Sequence, residues 1–173
     1  MLRRPSITTG LFALLVSVSL SGWNSARADA LKDGQDAWDA GHFAKSMELL
    51  LPLAKDGNPN AQYRVGVMHA HGQAASLNQA EAVKWFLLSA AQGNADAQLA
   101  LGNEYAIGGY GGVGIERDAP EAYFWLVLAI ENKATNKRSL DSATQMRDLI
   151  AGKLTPEQLA KVEKRLADWR ATH

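Results

Sequence analysis

The chain contains no cysteine in its 173 residues and only five prolines. Without a thiol there is no disulfide framework, no cysteine nucleophile and no site for thioester lipidation. Charge of one sign is also missing: 18 Lys and Arg balance 18 Asp and Glu. The basic footprint that nucleic-acid binding requires is therefore absent. No apolar run approaches the ~20 residues of a membrane-spanning helix. No G-x-S-x-G nucleophile elbow occurs either.

What is present begins with a processing segment. Arg3 and Arg4 make a positive start, and residues 11–20 form a short apolar run. Ala26-Arg27-Ala28 fits an A-x-A cleavage site. Residues 1–28 are read as a secretory signal peptide, so the mature chain is expected to begin at Asp29. Cleavage removes three arginines and no acid, leaving 15 basic against 18 acidic residues. No stable membrane insertion is expected afterwards, and the localisation expected is periplasmic or secreted. With no disulfides the export product must rely on its core, and about 145 residues can bury a sufficient one.

The central feature is a repeat. Residues 57–72 read GNPNAQYRVGVMHAHG and residues 93–108 read GNADAQLALGNEYAIG. Gly57, Asn58, Ala61, Gln62, Gly66 and Gly72 each recur 36 positions later. Periods of 20 to 50 residues denote stacked supersecondary units. Each unit reads as two helices. Helix A of the first runs over about residues 60–70, with Ala61, Val65 and His69 on one face. Gly66 costs about 1 kcal/mol against alanine in a helix interior, which predicts close approach of a neighbouring helix backbone. Gly72 falls where a left-handed cap is wanted.

Helix B begins at Asn78, with Glu81 placed to complete a capping box. Ala82, Trp85, Phe86 and Ser89 form its stripe, and Gly93 ends it. The second unit repeats this with Asp118 as cap, Pro120 in the first turn and Glu121 at the box position. Ala122, Trp125, Leu126 and Ala129 follow as the stripe. A looser unit precedes these, with Ser46 and Leu49 opposite Ala82 and Trp85 and a kink expected at Pro52. After Asn132 the repeat stops. Thr155, Pro156 and Gln158 open a strong helix with Leu159, Val162, Leu166 and Trp169 on one face. Residues 139–151 form another, with Leu140, Ala143, Met146, Leu149 and Ile150 as its stripe. This pair is read as a C-terminal cap, which an open stack needs.

These residues resemble the Sel-1-like repeat, a relative of the tetratricopeptide repeat. The second unit carries the pattern in Ala97, Leu101, Gly102, Tyr105, Gly108, Val113, Asp118, Ala122 and Trp125. The first carries it in Ala61, Gly66, Gly72, Ala82, Trp85, Ala90, Ala91 and Gly93. In the first unit His69 replaces the tyrosine, and Ala74 and Ala75 replace a Gly-Val turn. The second unit has a longer inter-helix turn. The resemblance implies an all-α, right-handed superhelical solenoid of antiparallel helix pairs, about eight helices in the mature chain. Repeats are expected at about 30–56, 57–92 and 93–132 within 29–132, and capping helices at 133–173.

Chemistry is sparse. Gly109-x-Gly111-x-x-Gly114 has the letters of a dinucleotide fingerprint but lacks the strand before it and the helix directly after it; it reads as an enlarged turn. His69 and His71 are two apart, whereas zinc-binding helix pairs are typically four apart. Asp118 and Glu121 are explained as caps. Trp85, Trp125 and Trp169 read as core anchors on apolar stripes. No catalytic, cofactor-binding or metal site is assigned.

What remains is surface. Helix A residues opposite the apolar stripe are Arg64, Met68 and His71, with Ala100, Glu104 and Ile107 as their equivalents. In a curved stack this face lines the concave groove, so these six are the expected protein-binding residues. The function the resemblance implies is a non-catalytic periplasmic or secreted scaffold that binds an unknown protein or peptide through the repeat surface. The alternatives are an enzyme that binds or hydrolyses cell-wall fragments or β-lactams, and an exported virulence effector.

Overall fold

The computed structural model describes residues 25–108, 115–133 and 137–173. Most of the expected signal peptide and the whole 109–114 turn lie outside the described residues. Among the described residues there are eight helices and no strand. Helix α1 spans residues 25–39, α2 Phe43–Lys55, α3 Pro59–His71 and α4 Gln79–Ala90. They are followed by α5 Ala95–Ile107, α6 Ala119–Glu131, α7 Lys137–Ala151 and α8 Pro156–Thr172. None of the described helices is long and apolar enough to cross a membrane. The first one begins before the expected cleavage point. There Arg27 Nη1 donates to Asp56 Oδ2 at 2.8 Å, an exposed pair whose loss on cleavage would cost little.

Local chemistry sets the helix boundaries. Asn58, Asn78, Asn94, Asp118 and Thr155 each accept a hydrogen bond from the backbone N–H three residues on. Only Thr155 and Gln158 form the full reciprocal box. The glutamates expected to close boxes in the repeats turn elsewhere: Glu81 to Lys84 at 3.0 Å, and Glu121 to Arg165 of α8. Gly72 and Gly108 end the two A helices with φ of 66° and 84°, the left-handed conformation glycine adopts without steric cost. The second helix continues through Pro52.

Successive helices from α2 to α7 pack against one another, which makes an all-α helical-repeat solenoid. Within each repeat the contact is centred on the mid-helix glycine. A Cβ on Gly66 would stand 2.6 Å from Phe86 Cε1, and one on Gly102 would stand 2.6 Å from Leu126 Cγ. The glycine thus makes room chiefly for a side chain of the B helix, although backbone also comes near, with Ala82 O at 3.2 Å from the Gly66 position.

Two tryptophan assignments diverge. Trp125 is 4% exposed and lies in the central cluster with Phe124 and Leu128. Trp85 is only partly buried against the α2–α3 cluster, and Phe86, 3% exposed, fills the core position of α4. Leu149 is also misplaced by the sequence stripe, at 56% exposed, while Ala143 and Ile150 of the same helix are buried. The terminal helices α7 and α8 make their main contacts with α6. The former extends the stack over Ala122 and Leu126. The latter lays Val162, Leu166 and Trp169 across Phe124, Trp125 and Leu128, with the Trp169 ring edge-on to Trp125 at 5.8 Å.

A polar clasp accompanies the apolar core at each junction. Buried Gln62 donates to Ala54 O at the end of α2, and buried Gln98 donates to Ala90 O at the end of α4. Their oxygens accept from Gln92 and Asn132, at 2.8 and 3.0 Å. Each glutamine therefore links the preceding B helix, its own A helix and the residues just after its own B helix. The recurrence of glutamine after 36 residues has this cause.

Candidate functional site

The six residues expected on one solvated face do not share one environment. Arg64 is half-buried, with its guanidinium over the Trp38 ring at 5.6 Å. Met68 is fully buried among Leu50, Leu53 and Val65, so it belongs to the core and not to a groove. His71 and Ile107 are exposed, and Ala100 is half-buried. Glu104 is only 6% exposed, a correction to its reading as a surface charge.

Three of the six nonetheless line one cavity. His71, Ala100 and Glu104 border a groove of about 290 Å³ that α3, α4 and α5 line. Tyr63, Val67 and Ala70 of α3 contribute to it. Phe86 of α4, Asp96, Leu99 and Asn103 of α5 and Ser139 of α7 complete the lining. No lysine or arginine lines it. Tyr63, Asp96 and Asn103 were not singled out from the sequence; the available signal was that all three lie on A helices, Tyr63 toward the following repeat and Asp96 and Asn103 toward the preceding one.

Glu104 is the unusual member. Its Oε2 is buried and has no hydrogen-bond partner among the described residues. Burial holds its carboxyl above the ordinary carboxylate range, because a low-dielectric site disfavours the charged form. Tyr63 is likewise pushed up, first by burial and then by the negative charge of Asp96. A native fold seldom leaves a buried carboxylate oxygen unpaired, and such exceptions concentrate at functional sites.

The other sequence features do not gather into a reactive site. His69 Nδ1 is buried without a partner, and no group of three metal-ligating residues occurs among the described residues. Asp118 and Glu121 act as a helix cap and an ion-pair partner.

The architecture and the groove define a helical-repeat protein without an assembled catalytic constellation among the described residues. Residues 59–94 and 95–133 each match the Sel1 repeat family. The chain is similar to the crystal structure of a protective antigen present in uropathogenic Escherichia coli strains displaying an SLR fold, with 25% identity and a TM-score of 0.71. That match covers 83% of this chain and 29% of the antigen. It is also similar to a Sel1 repeat protein from Oxalobacter formigenes, with 26% identity and a TM-score of 0.60, over 80% of this chain and 55% of the other. A search of curated proteins gives no match to the sequence. The chain carries two Sel1-like repeats. The Sel1 repeat fold is typical of protein-interaction scaffolds.

Proposed function

We propose that this protein is a non-catalytic, exported scaffold that binds a segment of another protein in the groove between α3 and α5. The observation that carries the reading is the cavity itself: a site between A helices with mixed apolar and polar walls and a buried carboxyl oxygen that has no partner among the described residues. Concave inter-helix surfaces are where solenoids present extended binding sites. Export rests on the charged start, the short apolar run and the A-x-A site of residues 1–28.

A photo-crosslinking residue placed at Ala100, with Lys84 of α4 as the exposed control, tests this in the native cell. A defined protein should be captured from the Ala100 position and not from the control. Capture from the Lys84 position alone would move the interface to the B helices. Turnover of cell-wall fragments or a β-lactam by the purified protein would overturn the non-catalytic reading. The intact mass of the exported protein should correspond to a start at or near Asp29, and retention of residues 1–28 would overturn the export reading.

A further inference from the structure

The groove chemistry narrows the partner. We propose that the α3–α5 groove is a receptor for one cationic side chain, lysine or arginine, of an extended peptide. The Glu104 carboxylate takes the head group, and Val67, Ala100 and Tyr63 take the stem. This rests on the scaffold reading above and deepens it.

Charge gives the first argument. The Glu104 carboxylate lines the groove and, among the described residues, no lysine or arginine does, so an anionic ligand would meet repulsion and a cation would not. The second argument is the unpaired oxygen. Glu104 Oε2 is buried with no hydrogen-bond partner among the described residues. A guanidinium or ammonium provides charge-assisted hydrogen bonds, which are roughly twice as strong as neutral ones. Size is the third. At about 290 Å³ the groove lies at the floor of the ~300–1,000 Å³ range of small-molecule pockets, which favours one side chain over a whole metabolite. Apolar side chains (Val67, Ala100) beside an acid (Glu104) in one lining suit lysine and arginine, whose aliphatic stems pack while the charged end is solvated or paired. A metal ion is disfavoured by the lack of a three-ligand cluster among the described residues.

The preceding junction supplies an internal comparison. There the positions equivalent to Ala100 and Glu104 are Arg64 and Met68. Arg64 lies over Trp38, and Met68 sits in an apolar cluster that Leu31 and Trp38 cover. That junction is filled by the chain itself. At the α3–α5 junction the arginine has become alanine and the methionine an acid, which opens space and leaves a negative charge without a counterpart.

The test is an amide-resolved NMR titration of the purified protein with n-butylguanidinium and n-butylammonium, against butyrate and butanamide. The cations should give saturable shifts at Ala100, Asn103 and Glu104, and butyrate should give none. Glu104→Gln, which keeps the shape, should weaken cation binding by about tenfold or more, as loss of a charge-assisted contact does. Ala100→Arg places a tethered guanidinium one helical turn before Glu104 and should block the probes. The proposal is overturned if neither cation saturates, if butyrate or butanamide shifts the same amides as strongly, or if either variant titrates like the parent. If crosslinking from Ala100 captures the same protein in the Glu104→Gln strain as in the parent, the scaffold survives and the cation receptor does not. Loss of capture in a correctly folded Glu104→Gln protein supports both.

Discussion

Met68 and Glu104 occupy the same position in two successive repeats and are almost equally buried, at 0% and 6% exposed. Their surroundings differ. Met68 is enclosed by Leu50, Leu53 and Val65, with Trp38 packed against the cluster. Glu104 borders a cavity and keeps an oxygen without a partner among the described residues. The shared backbone shows that the repeat dictates burial at this position. It does not dictate how burial is satisfied. Packing satisfies the first junction, and the second leaves a carboxyl oxygen without a partner among the described residues.

The most severe way to challenge this contrast is to move the acid. Met68→Glu places a carboxyl in the filled junction, where no cavity or partner awaits it. It should cost about 3–5 kcal/mol, as uncompensated buried charges do, measured by urea denaturation. The reverse change, Glu104→Met, should be neutral or stabilising. Equal losses from the two changes would show that the junctions do not differ in the way described.

The glycines ask whether the two repeats agree elsewhere. Gly66→Val and Gly102→Val each drive a Cβ to about 2.6 Å from a core side chain. Each should lower stability by about 1–3 kcal/mol through overpacking. Similar values confine the difference between repeats to the groove, whereas a large disparity would extend it to the helix pairs. A smaller effect is expected at the clasps. Gln62→Met and Gln98→Met remove one donor each to Ala54 O and Ala90 O; these carbonyls keep the Gly57 and Gly93 N–H groups, so each change should cost only about 1 kcal/mol, the net worth of a typical hydrogen bond.

Much of the stack was legible because its determinants are local or strictly periodic. A cap is settled within three residues, so Asn78, Asp118 and Thr155 could be read directly. Gly72 announced a left-handed end, and the step of 36 residues announced the stacking. The groove was less legible because a helix inside a solenoid is covered from more than one side. Dividing helix A into an apolar stripe and an opposite solvated face placed Glu104 outside. In the structure α5 packs on α4 as well as α6, and Glu104 is buried and lines a groove that Phe86 of α4 also lines. The same limit explains Trp85 and Leu149, whose periodic positions fall where no neighbouring helix fully covers them. The useful signal was present in the alignment of Met68 with Glu104: an apolar residue in one repeat and an acid at the same position in the next.

The smallest expected effect is the most diagnostic. Burial raises the Glu104 pKa in the folded protein, so the native state holds this proton more tightly than the unfolded chain. By linkage, the stabilisation from that proton is complete below the unfolded value and is lost as pH rises through the folded one. Glu104→Gln keeps the side-chain shape but has no proton to lose. Its Tm should therefore exceed the parent's near neutral pH, and the gap should shrink as pH falls toward about 4, near the unfolded glutamate pKa. His71, Asp96 and Tyr63 also face the groove, but they are common to both proteins and cancel to first order in the difference. Glu116→Gln is the control, since Glu116 is exposed and surface changes usually stay within about 0.5 kcal/mol. Saturating n-butylguanidinium should then close the neutral-pH gap by raising the parent's Tm and not the variant's, because a ligand stabilises only the state that binds it. A gap that is flat with pH, or that widens toward acid, would show that Glu104 is paired in solution, and the contrast with Met68 would lose its functional meaning.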